Sequence, residues 1–277
     1  MKEIDCKTIS EKLDERTKTL IENGKSPMLS ITIVGEDGAS VWYAKSLSKK
    51  IKGLGGYVMI HQYSSDVPVE DVAIAVEAES RSRTVDGIMF MSPMPTGYQE
   101  RLLSHLNPSK DVDGATPENM GKLILGQPIV LPPTVRAILE IVHQMKYNGH
   151  LGRGHMRAVV VNRSAIIGKP LAVMLAGLDF TVTLAHSRTA NLKELCSEAD
   201  LLVVATGQAG MFTSEYIKEG AVVIDAGTAV VDGKLRGDVD VSTLEDRDCW
   251  VTPVPGGVGT VTTSVTAHQL AMMSSPN

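Results

Sequence analysis

Cysteine is scarce in this sequence and lies in no recognisable motif. The three cysteines among 277 residues are Cys6, Cys196 and Cys249, an odd number at wide spacings with no Cys-x-x-Cys pair. This argues against a disulfide framework and against a zinc site. The seven histidines show no His-x-x-x-His spacing either, and we therefore predict no catalytic metal. Unpaired cysteines are typical of a reducing compartment, so we expect a cytoplasmic protein.

Long apolar runs and an excess of basic residues are absent as well. No apolar run approaches the roughly 20 residues of a membrane-spanning helix, and residues 1–7 lack the apolar core of a signal peptide. The formal net charge is -5, whereas nucleic-acid-binding proteins usually carry a basic excess. We therefore expect neither a membrane nor a nucleic acid as a partner. A local group of arginines can still bind a small anion on an acidic protein.

What the sequence does contain is short strands rich in β-branched residues that alternate with longer amphipathic stretches. The predicted strands are 28–34, 57–63, 86–91, 158–161, 181–185, 201–206 and 221–225. The predicted helices are 8–23, 40–54, 69–82, 97–106, 134–146, 168–178, 191–198, 214–218 and 262–273. Such alternation indicates an α/β fold with parallel sheets covered by helices. Residues 114–157 contain fewer strands and are interpreted as the link between two α/β layers.

A candidate cofactor turn follows the strand at 158–161. A strand, a tight turn and a helix N-terminus form the geometry that binds a pyrophosphate, because free N–H groups and the helix dipole favour an anion. The usual three-glycine fingerprint is incomplete, so this motif alone is weak. Asn162 stands in place of the first glycine, where we expect it to tolerate a left-handed backbone. The candidate cofactor contacts here are Asn162, Arg163, Ser164, Ile167 and Gly168.

The tip of the next strand favours NADP over NAD. An NAD-binding domain normally has an acidic residue there for the ribose hydroxyl, but this chain has His186, Ser187 and Arg188. Arg163 and Arg188 suit a 2′-phosphate through charge-assisted hydrogen bonds. The alternative is that both are solvated surface arginines.

Several further motifs occur in an order that is hard to explain as generic α/β sequence. They are Asp86-Gly87-Ile88, Lys110-Asp111-Val112-Asp113-Gly114, Gly168-Lys169-Pro170, His186-Ser187, Ala205-Thr206-Gly207, Val223-Ile224-Asp225-Ala226-Gly227 and Thr252-Pro253-Val254-Pro255-Gly256-Gly257-Val258-Gly259. Together they resemble the methylenetetrahydrofolate dehydrogenase/cyclohydrolase family over almost the whole chain. The Pro-Val-Pro-Gly-Gly-Val-Gly loop is the most specific of these signals.

The resemblance implies two α/β domains flanking a cleft. Residues 1–130 plus 262–277 would form the folate-binding catalytic domain, and residues 131–261 a Rossmann-like NADP-binding domain. A tetrahydrofolate derivative would be the substrate, with its pterin in the first domain and NADP along the second. Family members are usually homodimers joined through the dinucleotide domains, so a homodimer is expected.

The resemblance also implies roles for individual residues. Tyr43 and Asp113 would bind folate in the catalytic site. The loop residues Pro255, Gly256 and Gly257 would also contact the substrate. Further cofactor contacts would be Thr206, Gly207, Gly227, Gly259 and Thr262.

Two departures from the family pattern concern the second of its two activities. Dehydrogenation moves a hydride to the nicotinamide and needs mainly alignment, whereas the cyclohydrolase step needs a positioned acid/base group. The family uses a lysine four residues after the tyrosine, and this chain has Leu47 there. The family glutamine that tunes that lysine is Met91 here. Replacing both ends of a polar pair costs much less than orphaning one, so we interpret the change as a coherent loss.

Lys50 is the one lysine that geometry offers as a substitute. It lies seven residues after Tyr43, about 700° around the helix and roughly 10 Å further along its axis. Its side chain leans toward the N-terminus and so partly toward the site. The alternative is a solvated helix face.

Three functions therefore remain open. They are a dehydrogenase with weak or absent cyclohydrolase activity, a bifunctional enzyme, and a catalytically silent NADP- or folate-binding protein.

Overall fold

In the computed structural model, residues 1–152 and 154–274 are described. The strands are β1 (Lys2–Glu3), β2 (Met28–Val34), β3 (Tyr57–Tyr63), β4 (Gly87–Phe90), β5 (Met156–Val161), β6 (Phe180–Ala185), β7 (Leu201–Val204), β8 (Val222–Asp225), β9 (Ala229–Val231), β10 (Lys234–Arg236) and β11 (Trp250–Val251). The α-helices are α1 (Cys6–Glu22), α2 (Gly38–Gly53), α3 (Val69–Arg81), α4 (Tyr98–Leu103), α5 (Pro117–Ile124), α6 (Pro133–Tyr147), α7 (Gly168–Ala176), α8 (Leu192–Ser197) and α9 (Val258–Met273). Short 3-10 helices occupy Pro108–Lys110, Ser214–Tyr216 and Val241–Leu244. Within the described residues, no helix is long and apolar enough to cross a membrane.

The chain divides into two compact units. The six-stranded unit comprises Met1–Ser10, Leu123–Gln127 and Thr134–Thr262, and the three-stranded unit takes the remainder of the chain. Residues 1–10 differ from the predicted domain boundaries, because Lys2 of β1 pairs with Trp250 of β11 in the larger sheet. The assignment of folate and NADP to particular domains stays a prediction.

The three-stranded unit is a parallel sheet in the order β3-β2-β4. Its central strand, β2, is buried along almost its whole length, which explains why it reads as an apolar run with little alternation. Helix α2 begins where the Asp37 side chain accepts a hydrogen bond from the Ser40 amide at 2.8 Å, a standard N-cap. It ends before Gly55, whose φ of 101° is the left-handed conformation that commonly stops a helix.

The six-stranded unit is a parallel sheet in the order β1-β11-β8-β7-β5-β6. The chain leaves β5 to form β6 on one side and then returns to form β7 on the other side. This reversal makes a topological switch point between β5 and β7, which is where open α/β sheets bind ligands outside the carboxyl ends of their strands.

The predicted fold class, two α/β units with parallel sheets, is confirmed. Sequence reasoning missed α5, the short edge strand β1 and its short neighbour β11, and the antiparallel hairpin of β9 and β10. The hairpin had a readable signal, because Asp232 and Gly233 have φ of 51° and 72° and Asp-Gly favours a two-residue hairpin turn. Helix α9 begins at Val258, four residues before the predicted 262, because Gly259 and Thr260 were interpreted as loop.

A glycine in β4 tests the packing of the three-stranded unit. A Cβ added at Gly87 would lie 2.3 Å from Val112 Cγ2 and 2.6 Å from Leu270 Cδ1. We expect Gly87→Ala to lower the free energy of unfolding by about 1–3 kcal/mol through overpacking. In the matched control Gly121→Ala, within α5, a Cβ meets nothing within 4 Å, so we expect a gain of about 0.4–1 kcal/mol. Thermal unfolding measures both, and equal melting temperatures for the two variants would contradict the packing.

Candidate active site

The carboxyl ends of adjacent parallel strands bring the predicted cofactor residues to one edge of the six-stranded sheet. Val161, at the end of β5, is in register with Ala185 of β6 and Val204 of β7, and Val204 is in register with Asp225 of β8. The turns that follow these strands contain the predicted cofactor contacts Asn162, Arg163, Ser164, Ile167, Gly168, His186, Ser187, Arg188, Thr206, Gly207 and Gly227. Four separate sequence motifs therefore meet at the switch point.

Asn162 builds the turn between β5 and α7 with its side chain. Its Oδ1 accepts hydrogen bonds from the amides of Ser164 (2.8 Å) and Gly168 (3.0 Å), and its Nδ2 donates to the Ala205 carbonyl across the switch point at 2.7 Å. Asn162 does not use the left-handed backbone that asparagine tolerates, because its φ is not positive. The side chain supplies the tight turn instead. A Cβ at Gly168 would lie 1.9 Å from the Asn162 carbonyl oxygen, so only glycine fits there.

These internal hydrogen bonds limit what the turn amides can offer a ligand. The Ile167 amide also donates internally, to Ser164 Oγ at 3.1 Å. Contacts from Asn162, Ser164, Ile167 and Gly168 to a cofactor stay a prediction. The structure shows that these four residues at least determine the shape of the turn.

The tips of β5 and β6 carry the residues predicted to recognise a 2′-phosphate. Arg163, Ser187 and Arg188 are exposed, as an anion site on a protein surface requires. The loop is ordered by its own polar groups, since the Arg188 amide donates to His186 Nδ1 at 3.1 Å and the His186 amide to Thr189 Oγ1 at 2.8 Å. This edge therefore fits a phosphorylated dinucleotide.

The loops after β7 and β8 depend on a carboxylate that sequence reasoning missed. Asp238 Oδ2 accepts hydrogen bonds from the Thr206 amide at 2.5 Å, the Thr206 hydroxyl at 2.8 Å and the Gly207 amide at 3.2 Å. A Cβ at Gly227 would lie 2.1 Å from Asp238 Cγ. The available signal was Gly-Asp-Val at 237–239, where the glycine permits a close backbone approach.

The loop after β11 and the start of α9 contain the remaining predicted contacts in this unit. Pro255 and Gly256 are exposed, and a Cβ at Gly257 would lie 2.2 Å from the Pro253 carbonyl oxygen. Gly259 is exposed in the first turn of α9. Thr262 is 8% exposed and its hydroxyl donates to the Val258 carbonyl at 2.8 Å, so its predicted cofactor contact competes with a helix hydrogen bond.

In the three-stranded unit, Tyr43 and Asp113 are electrostatically coupled. Burial raises the pKa of Asp113 to about 7, the Asp111 carboxylate adds to this, and a hydrogen bond with the Phe90 backbone opposes it. Burial raises the pKa of Tyr43 to about 12, and the Asp113 charge acts in the same direction. Tyr43 is therefore a neutral donor at physiological pH, while Asp113 titrates near neutrality.

Asp111 is a second carboxylate that sequence reasoning overlooked. It is 1% exposed, and its Oδ2 accepts hydrogen bonds from the Thr116 amide at 2.7 Å and Asn119 Nδ2 at 2.9 Å. The Asp111 carboxylate is the charge that adds to the effect of burial on the pKa of Asp113.

Leu47 and Met91 lie in one dry apolar cluster. Leu47 is 0% exposed and Met91 4%, and they share this cluster with Leu29, Ile51 and Leu270 among others. Neither side chain can carry a proton or a charge. The two departures from the family pattern are therefore parts of one continuous hydrophobic core.

Lys50 pairs with a carboxylate of helix α1. Its Nζ lies 2.5 Å from Asp14 Oδ2, and the two side chains are 27% and 19% exposed. This ion pair draws the ammonium toward α1. The role of Lys50 as an acid/base group stays a prediction, and the pairing counts against it.

Most of the chain is similar to proteins of one known family. The family models described as tetrahydrofolate dehydrogenase/cyclohydrolase, catalytic domain and NAD(P)-binding domain match residues 4–113 and 132–275. The "Bifunctional protein FolD" of Lactococcus lactis subsp. cremoris is 39% identical over 272 residues, covering 96% of this chain and 94% of that protein.

Two solved structures of such enzymes are also similar to this chain. The bifunctional 5,10-methylenetetrahydrofolate dehydrogenase/cyclohydrolase from Thermoplasma acidophilum has a TM-score of 0.90 at 30% identity, covering 99% of this chain and 98% of that one. The Trypanosoma brucei N5,N10-methylenetetrahydrofolate dehydrogenase-cyclohydrolase, complexed with NADP cofactor and inhibitor, has a TM-score of 0.85 at 31% identity, covering 97% and 94%.

The raised pKa of Asp113 predicts a pH-dependent stability. The folded-state pKa is about 7 and the unfolded value about 3.9, so between these values the folded state holds a proton that the unfolded state has lost. Stability therefore falls as pH rises through this window and stays reduced above it. We expect Asp113→Asn, which cannot ionise, to raise the melting temperature more at pH 8 than at pH 5.

An exposed aspartate serves as the control for this measurement. Hydrogen bonds from Ser64 lower the pKa of Asp66, so Asp66→Asn is expected to give no gain at pH 8. An equal gain from Asp113→Asn at both pH values would contradict the assignment.

Proposed function

The chain belongs to the tetrahydrofolate dehydrogenase/cyclohydrolase family, and we propose that it is an NADP-dependent methylenetetrahydrofolate dehydrogenase whose cyclohydrolase activity is weak or absent. The observation that carries this proposal is the dry cluster that contains Leu47 and Met91. The family's acid/base lysine and its glutamine partner would occupy these two positions. Tyr43 and Asp113, to which the resemblance assigns folate binding, and the glycine motifs to which it assigns NADP binding are present.

The dehydrogenase step suits the side chains that remain. When bound, NADP would supply the acceptor for the hydride from the folate methylene carbon, so the chain's own task would be alignment and electrostatics. The ionised Asp113 carboxylate would accept hydrogen bonds from the pterin N–H groups, and the neutral Tyr43 hydroxyl would orient the ring. Methenyl hydrolysis requires a proton to move at a fixed position, which a leucine cannot provide.

NADP is the proposed cofactor. Its support in this chain is the exposed Arg163 and Arg188 at the tips of adjacent strands, beside Ser187. Charge-assisted hydrogen bonds from arginine match a 2′-phosphate. The similar Trypanosoma brucei enzyme was solved with NADP.

Of the two alternative functions, only the bifunctional enzyme has specific support. The bifunctional reading is favoured by the names of the relatives and would need Lys50 or an ordered water as the acid/base group. Its difficulty is the ion pair of Lys50 with Asp14. A silent NADP- or folate-binding protein is disfavoured because Tyr43 and Asp113 are retained and coupled.

A homodimer in the cytoplasm is also proposed. Val230 and Leu235 face each other across the β9–β10 hairpin and are 74% and 43% exposed. Exposed apolar pairs of this kind favour an interface, here on the dinucleotide unit as the family resemblance implies. The three cysteines are unpaired and buried, which suits a reducing compartment.

A paired assay tests the main proposal. Purified protein is given methylenetetrahydrofolate and NADP while NADPH is followed, and then methenyltetrahydrofolate while its loss is followed. We expect NADPH formation and no methenyl loss above the uncatalysed rate. Acceleration of both reactions would contradict the loss of the second activity, and a Lys50→Met variant would then show whether Lys50 carries it. No NADPH formation would favour the silent binder.

Restoring the family pair gives a gain-of-function test. We expect the double variant Leu47→Lys, Met91→Gln to accelerate methenyl hydrolysis at least about tenfold, a modest share of the 10²–10⁴ typical of acid/base catalysis. Leu47→Met, which conserves apolar volume, should leave the rate unchanged. A folded double variant with intact dehydrogenase activity and no gain would show that other positions limit the reaction.

Cofactor preference can be tested at the two arginines. Because a hydrogen bond to a charged group contributes about 1.5–3 kcal/mol, we expect Arg163→Ala or Arg188→Ala to raise the KM for NADP at least about tenfold and the KM for NAD much less. Arg157, exposed at the opposite end of β5 and paired with Glu198, is the control. Equal losses for both cofactors would refute 2′-phosphate recognition.

Light scattering tests the dimer. We expect Val230→Asp to convert the protein to a monomer, because a carboxylate would be buried without a partner. Val241 is 49% exposed in the same unit, and Val241→Asp should leave the mass unchanged. A dimeric Val230→Asp protein would exclude the hairpin interface.

A further inference from the structure

Two carboxylates are buried beneath the loops that follow β7 and β8. Asp225 is 2% exposed and Asp238 0%. Neither takes part in the hydride transfer proposed above, and buried charges are costly unless they are paired or hydrogen-bonded. Their contacts therefore indicate what they do.

Asp238 holds the loop after β7 in place through hydrogen bonds. All three of its hydrogen bonds reach one oxygen, Oδ2, from the Thr206 amide, the Thr206 hydroxyl and the Gly207 amide. The other oxygen, Oδ1, is buried and has no hydrogen-bond partner within the part of the chain that the structure describes. It faces the turn after β8, since a Cβ on Gly227 would lie 2.2 Å from it.

Asp225 makes the reciprocal contact. Its Oδ1 accepts a hydrogen bond from the Gly227 amide at 2.9 Å, and its Oδ2 accepts one from the Val239 amide at 2.9 Å. A Cβ on Gly237 would lie 2.2 Å from Asp225 Oδ2. Each carboxylate therefore lies against a glycine that is close in sequence to the other carboxylate. Asp225 lies against Gly237, and Asp238 lies against Gly227. We call Asp225, Gly227, Gly237 and Asp238 the carboxylate clasp.

Burial and charge repulsion make the two carboxylates of the clasp electrostatically unfavourable. Burial raises the pKa of Asp225 to about 6, and the Asp238 charge adds to this while three backbone hydrogen bonds oppose it. Two interacting buried carboxylates reduce stability, because the charged forms are desolvated and repel each other. Such an arrangement is expected where it serves a site.

The position of the clasp in the sheet indicates which half of the cofactor it would serve. A dinucleotide lies across the switch point with its pyrophosphate at the first turn of the fold, here the turn after β5. The arginines proposed to bind the adenosine 2′-phosphate follow β5 and β6. The nicotinamide half then extends over β7 and β8, whose loops the clasp holds.

We propose that the carboxylate clasp positions the nicotinamide half of NADP by holding Thr206, Gly207 and Gly227 in place. This inference rests on the proposed NADP-dependent function. Asp238 and Asp225 are positioning residues, because they act through the backbone of the two loops. Gly227, predicted as a direct cofactor contact, then has a different reason to be glycine, which is the space that the Asp238 carboxylate fills.

The test separates the two halves of the cofactor. Binding of NADP and of 2′,5′-ADP, which contains only the phosphorylated adenosine half, is measured by isothermal titration calorimetry on the full chain. We expect Asp238→Ala to raise the Kd for NADP about tenfold and to leave the Kd for 2′,5′-ADP within twofold. Arg188→Ala should weaken both ligands. In kinetics, the Asp238→Ala variant should raise the KM for NADP and lower kcat, with the folate KM unchanged.

Three further variants make the result decisive. Asp238→Asn keeps one acceptor oxygen and should recover most of the NADP affinity. Thr206→Val removes only the hydroxyl donor and should show a smaller loss than Asp238→Ala. Asp240, two residues on, hydrogen-bonds Ser242, and Asp240→Ala should match the wild type for both ligands.

The outcomes distinguish this inference from the proposed function. If the wild type binds NADP and Asp238→Ala loses both ligands equally or neither, the clasp does not position the nicotinamide half. If Asp238→Ala fails to fold, Thr206→Val decides, and wild-type affinity for NADP in that variant overturns the inference. A wild type that binds neither NADP nor 2′,5′-ADP would instead overturn the proposed function.

Discussion

The pairing of β5 with β6 on one side and β7 on the other is the constraint on which the cofactor unit depends. All these strands run parallel, so the turns after them meet at one edge, and the change of direction opens a crevice between β5 and β7. Asn162 spans that crevice with a hydrogen bond to the Ala205 carbonyl and also shapes the turn that leads into α7. The exposed arginines and the carboxylate clasp lie in turns and loops at this same edge of the sheet.

In the three-stranded unit, apolar residues occupy the two positions to which the family resemblance assigns a lysine and a glutamine. A lysine left alone among buried aliphatic side chains would carry a large desolvation cost, and so would an unpaired glutamine. Because both positions are apolar, Leu47 and Met91 join the core around β2. In the same unit, burial and the Asp111 charge raise the pKa of Asp113.

A position that only glycine fits can lie against a ligand or against another group of the protein. At two of the predicted cofactor glycines the backbone closely approaches another group of the protein, which the sequence did not identify. At Gly168 the neighbour is the Asn162 carbonyl oxygen, and at Gly227 it is the Asp238 carboxylate. A glycine that lies against the protein's own groups and a glycine that lies against a ligand look the same in a sequence. Only the tertiary structure distinguishes them.

The sequence by itself determined the alternating α/β pattern, the family, and the absence of the lysine and glutamine at positions 47 and 91. Each of these depends on local periodicity, on motif order or on residue identity, which are properties of the chain alone. The tertiary structure decided that Asn162 caps a turn with its side chain, that Lys50 pairs with Asp14, and that Asp225 and Asp238 face each other's loops. The Asn162–Ala205 hydrogen bond and the Lys50–Asp14 pair join residues 43 and 36 positions apart in the sequence, and burial and charge act only after folding has brought such residues together.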